Sequence, residues 1–85
     1  MTRFTIHAET MLAERGIDRE WAERALANPE WEEPDPTGPD KKRAFGSIPE
    51  AGGKILRVVY NVEAGEKRVI TLFFDRRAKK PGARP

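Results

Sequence analysis

The sequence predicts an α+β fold in which an αα-hairpin packs on one face of a three- to four-stranded antiparallel sheet. Apolar residues recur at helical spacing as far as residue 28, then alternate along the chain between residues 43 and 74. At 85 residues the chain can enclose one hydrophobic core and not two. Residues 1–78 are therefore expected to form a single domain, with a basic, disordered tail over 79–85.

Each element has its own signal. Phe4 and Ile6 alternate with Arg3 and Thr5, which reads as a short extended segment. Ala8, Met11, Leu12 and Arg15 follow at i, i+3, i+4 and i+7, and Gly16 is suited to end that helix in a left-handed conformation. Asp18 can cap a second helix, whose stripe is Trp21, Ala22, Ala25 and Leu26. Pro29 disfavours helix at Asn28 and stops it there. Residues 29–42, with four prolines and five carboxylates, read as a loop that Trp31 pins down.

Three strands are expected after it: Arg43 to Ile48, Lys54 to Val62 and Lys67 to Phe74. A two- or four-residue connection at Glu63–Glu66 pairs Val62 with Lys67 and Val58 with Thr71. One face of that hairpin then holds Leu56, Val58, Tyr60, Val62, Val69, Thr71 and Phe73, and should lie under the helices. The other mixes Ile55, Val59, Ile70, Leu72 and Phe74 with Arg57, Asn61 and Arg68. That mixture is unusual for a surface left to water, and marks a face that is partly covered or meets a partner.

Charge is divided unevenly. Residues 1–40 hold 4 Lys/Arg against 10 Asp/Glu, a net −6, while residues 41–85 hold 12 against 4, a net +8. The basic half could face phosphate, or the two halves could simply attract each other within the fold. The absence of cysteine excludes disulfides, thiolate metal sites and a thiol nucleophile, and a single histidine excludes multi-histidine metal sites. No phosphate-binding Gly-rich loop ending in Lys-Ser or Lys-Thr occurs. Glu32, Glu33, Asp35 and Asp40 lack the regular spacing of a calcium loop. No cofactor is expected. With neither a leader nor a long apolar run, the expected location is the cytoplasm and no membrane partner is expected.

What remains is guanidinium groups and one imidazole. His7 opens the first helix, where the helix dipole disfavours its protonation and keeps it available as a base. It could equally tie the first strand to the helix. Arg57, central in a strand, must find a carboxylate, a phosphate or solvent, because burying it unpaired is prohibitive.

Several short motifs resemble a known family. His7-Ala8, Arg15-Gly16-Ile17 and Asn28-Pro29 in the first half, with Arg57-Val58-Val59 and Ile70-Thr71 in the second, are similar to a widespread bacterial family of small domains, domain of unknown function 4258. The resemblance spans about residues 4 to 78, although the family often carries an arginine where this chain has Met11. The order of elements also resembles RelE/BrnT-type toxins, with Arg43, Gly46 and Arg77-Ala78 in comparable places. That second likeness implies a RelE-like fold and an RNA-directed, metal-free ribonuclease. In that chemistry a base takes the proton of the ribose 2′-hydroxyl and cations stabilise the phosphorane. The implied catalytic set is His7, Arg57 and Arg43, with Arg15, Arg76, Arg77, Lys79 and Lys80 contacting RNA. RNA or the ribosome is then the expected partner. Two other readings stay open: a non-catalytic module that binds an acidic, antitoxin-like protein, and a nucleic-acid-binding protein that acts through charge alone.

Overall fold

The computed structural model describes residues 2–80. The chain runs β1 (Thr2–Phe4), α1 (Ile6–Arg15), α2 (Arg19–Ala27), β2 (Trp31–Pro34), β3 (Lys42–Ile48), a 3-10 turn at Pro49–Ala51, β4 (Lys54–Glu63) and β5 (Glu66–Phe74). Part of the expected tail, residues 81–85, lies outside the described residues. No helix among the described residues is long and apolar enough to cross a membrane.

Local chemistry fixes both helices. Thr5 caps α1 by accepting from the Ala8 amide at 3.1 Å, and Gly16 ends it at φ 63°. Asp18 caps α2 by accepting from the Glu20 amide at 2.9 Å. Ala8 and Leu12 from α1, with Ala22, Ala25 and Leu26 from α2, meet Ala44, Ile48, Leu56, Val58, Tyr60, Val69 and Leu72 of the sheet. Gly46 lets α2 approach β3 closely, since a Cβ there would lie 3.3 Å from the Ala25 Cβ.

The sheet is larger than expected and mixed. Its order is β1-β5-β4-β3-β2, with β1 parallel to β5 and every other neighbour antiparallel. The extended segment at the N-terminus is an edge strand, which registers Arg3 against Arg68 and Phe4 against Val69. The other edge, β2, falls inside the stretch expected to be a loop. Its Trp31 and Glu33 project to one side and Glu32 to the other. Trp31 stacks on Phe45 with ring centres 4.5 Å apart, and the Tyr60 hydroxyl donates to Glu32 at 2.7 Å. Burial, and then that bond, pushes the Tyr60 phenol up to about 12. Trp31 therefore pins its segment to the face of the sheet without helices, and not to the main core.

β4 and β5 join through Ala64-Gly65, both at positive φ (54° and 78°), as a tight two-residue hairpin requires. Near this turn the register is the expected one, with Val62 opposite Lys67. It shifts between Val59 and Tyr60: Tyr60 faces Val69, Val59 faces Thr71, and Ile70 is the extra residue of a β-bulge. Beyond the bulge the faces of β5 differ from expectation. Leu72 is fully buried under the helices and Phe74 packs against the core, while Thr71 and Phe73 share the opposite face with Arg57 and Val59.

This register has a direct thermodynamic consequence. Leu72→Ala empties a fully buried site and should cost about 2–5 kcal/mol in urea denaturation, clearly more than Phe73→Ala next to it. The reverse order would restore the unshifted register.

Candidate functional site

The helices cover one face of the sheet and leave the other without any secondary-structure element over it. Across the middle of that uncovered face, Trp31, Phe45, Arg57 and Phe73 stand in register on β2, β3, β4 and β5. Arg57 lies over the Phe73 ring at 4.3 Å, a cation–π contact. The adjacent row holds Glu33, Arg43, Val59 and Thr71.

The two mid-face arginines are engaged by carboxylates. Arg43 Nε donates to Asp35 at 3.1 Å, and Asp35 is buried. The Thr37 hydroxyl and amide, and after them Arg43, hold the Asp35 carboxyl at about 2. Arg57 lies 3.4 Å from Asp75, and its Nε is buried with no acceptor among the described residues. These guanidinium groups tie the ends of strands together: Arg43 fixes the turn after β2, and Arg57 fixes the chain leaving β5. Three further carboxylates of the 30–40 region are committed, Glu30 to Ser47, Glu32 to Tyr60 and Glu33 to the Trp31 indole. Among the described residues no group of three His, Asp or Glu is arranged to hold a metal ion.

His7 lies elsewhere. It lines a cleft of about 470 Å³ with Arg3, Phe4, Thr5, Ile6 and Arg68, where β1 and β5 meet the start of α1. Arg68 is four residues along the strands from the level of Arg57, since it pairs with Asn61. At ~3.3 Å per residue that separation is about 13 Å. Arg43 is two strands further across the sheet from Arg68, about 10 Å at ordinary strand spacing. Arg15 sits in the last turn of α1, about 12 Å along the helix axis from His7. Arg76, Arg77, Lys79 and Lys80 follow the far end of β5. The residues expected to act together are thus spread over four places, and His7 keeps company with Arg3 and Arg68 instead.

The sequence-derived set omitted Arg3. It placed Arg68 on the uncovered face but gave it no role. Alternation around Phe4 puts Arg3 on that face, yet nothing in a three-residue strand announces a parallel partner forty or more residues away. Met11, at the position where the resemblance leads one to expect arginine, packs against the core and cannot reach phosphate.

With this geometry in hand, comparison with known proteins gives a family. The family model for a domain of unknown function (DUF4258) matches residues 4–74. The chain belongs to that family. Searches of curated proteins and of solved structures returned no match. The DUF4258 match begins at Phe4 and ends at Phe74, so it runs from the end of β1 through β5 and includes His7, Arg68 and the Arg43–Asp35 pair, while Arg3 and Asp75 lie just outside it.

The Asp35 pair can be tested by acid. Its folded pKa lies below the ordinary aspartate value, so its contribution is complete above pH about 4 and is lost as pH falls toward 2. Wild type should lose on the order of 1 kcal/mol over that window that Asp35→Asn does not lose, measured by urea denaturation at each pH. Parallel pH profiles of the two proteins would contradict the pairing.

Proposed function

We propose that this DUF4258 domain binds single-stranded RNA across the uncovered sheet face and does not cut it. The observation that carries the proposal is the make-up of that face. Partly exposed Trp31 and Phe73 rings lie in a row with Arg57, and cations free of ion pairs stand at both ends of β5. Among the described residues Arg68, Arg76, Arg77 and Lys79 form no salt bridge, whereas Lys80 lies near the Glu30 carboxylate. From Arg68 to the end of β5 is roughly 20 Å at strand rise, enough for several nucleotides. Aromatic faces accept any base, and cations follow the phosphates.

Cutting fits the geometry less well. A ribonuclease needs a base and a phosphorane-stabilising cation around one phosphate. His7 stands well apart from Arg43 and Arg57, whose charges already face Asp35 and Asp75. The likeness to RelE- and BrnT-type toxins rests on the order of elements and a few short motifs, and it supports an RNA partner more than it supports a reaction.

Fluorescence anisotropy with a short labelled single-stranded RNA tests this reading. Three phosphate contacts predict roughly a 20-fold loss of affinity between about 50 and about 200 mM salt. Phe73→Ala should weaken binding at least fivefold, the low end of a lost stacking contact. The RNA should stay full length in chelator. Fragments under those conditions would favour the ribonuclease reading, and no binding at low salt would favour an acidic protein partner.

A further inference from the structure

The cleft beside β1 has features that the rest of the face lacks. Arg3 and Arg68 are direct neighbours in the parallel β1–β5 register, so two like charges stand side by side on adjacent strands. Such a pair opposes folding unless an anion lies between its members. Arg68 has no carboxylate partner among the described residues. Arg3 has only an outlying contact with Glu66 at 3.9 Å, on a side chain 60% exposed. The mid-face arginines, by contrast, each have a carboxylate at hand. A like-charged pair whose one carboxylate contact is long and exposed is well placed to take an external anion.

The cleft adds further donors. His7 lines it, and the Ile6 and His7 amides at the start of α1 have no acceptor among the described residues. The Thr5 and Ala8 amides are already used, by Val69 and by the Thr5 hydroxyl. β1 is an edge strand, so the cleft opens at a corner of the sheet. Ile6 forms part of its wall and is 88% exposed, an apolar surface beside a cationic one.

We infer that this cleft, lined by Arg3, His7 and Arg68, holds the terminal phosphate monoester of a nucleic-acid strand whose adjoining nucleotides lie on the uncovered face. The inference rests on the RNA-binding reading and specifies which part of the strand enters where. A phosphodiester carries one negative charge, whereas a terminal phosphate carries up to two and offers three acceptor oxygens. Two guanidinium groups, an imidazole and two free amides match the latter. A corner site suits a strand end, because only one side of the ligand has to continue along the sheet. Ile6 is placed to contact the terminal nucleoside.

The test compares three short RNAs of one sequence, bearing a 5′-phosphate, a 3′-phosphate or no terminal phosphate, by anisotropy at low salt. One phosphorylated RNA should bind about tenfold tighter than the unphosphorylated one, and which one reports the direction of the strand. Arg68→Ala should abolish the difference, while Arg76→Ala, at the other end of β5, should weaken all three RNAs alike and keep the ratio. Thermal melts of both variants check that they are folded. Equal affinity of all three RNAs for wild type overturns the inference and leaves the RNA reading standing, and failure of all three to bind overturns both. A tenfold difference that survives in folded Arg68→Ala also overturns the assignment to this cleft.

Discussion

One extra residue in β5 determines what each face of this sheet presents. The bulge at Ile70 reverses the alternation of the strand beyond it. Val69 before the bulge and Leu72 after it both reach the core, three residues apart instead of two. The same reversal brings Phe73 to the uncovered face beside Arg57. The bulge also anchors α1. Thr5 donates its amide to the Val69 carbonyl at 3.0 Å and its hydroxyl to the Ile70 carbonyl at 3.1 Å, while that hydroxyl accepts from Ala8. The Val69 carbonyl, bonded in the β1–β5 ladder, and the Ile70 carbonyl at the bulge thus fix where the first helix begins, and with it where His7 stands relative to Arg68. Bulges often re-aim side chains next to functional surfaces, and here one residue aims two elements at once.

The charge distribution reads differently once this frame is in place. The basic second half does not form one uniform patch. Some of its arginines are consumed internally: Arg43 by Asp35, and Arg57 by Asp75 with Phe73 beneath it. Acidic residues of the first half are consumed too, Glu9 by Arg19 and Glu32 by Tyr60. On the helical side Arg24 donates to both oxygens of Glu50, which lower that carboxyl to about 2. Among the cations left without a salt bridge are Arg68 near the start of β5 and Arg76 and Arg77 past its end, with Phe73 between them. That separation favours an extended anionic ligand over a compact one.

Much of the fold was legible in the sequence because its signals are local. Thr5, Gly16 and Asp18 set the helix boundaries through caps and a left-handed turn, and the core residues of both helices follow the 3.6-residue period. Other features depend on partners remote in sequence. β2 is written in Pro and Glu, which ordinarily signal a loop. It becomes a strand because Trp31 finds Phe45 and Glu32 finds Tyr60. The bulge leaves no mark in residue types, since Ile70 suits a regular strand as well as an irregular one. The uncovered face was recognised as unusual from Arg57 and Arg68. Which of the two is free was not legible, because Asp75 reaches Arg57 only through tertiary contact.

The central claim is that the uncovered sheet face and its corner cleft, and not the helical face, form the recognition surface of this DUF4258 domain. Mapping backbone amide chemical shifts during titration with a terminally phosphorylated single-stranded RNA tests it most directly. The account predicts the largest changes at Ile6, His7, Arg68 and Phe73, with the exposed side of α2 unmoved. Changes confined to α2 and the turn after Ile48, or none at concentrations where the domain is folded, would contradict it.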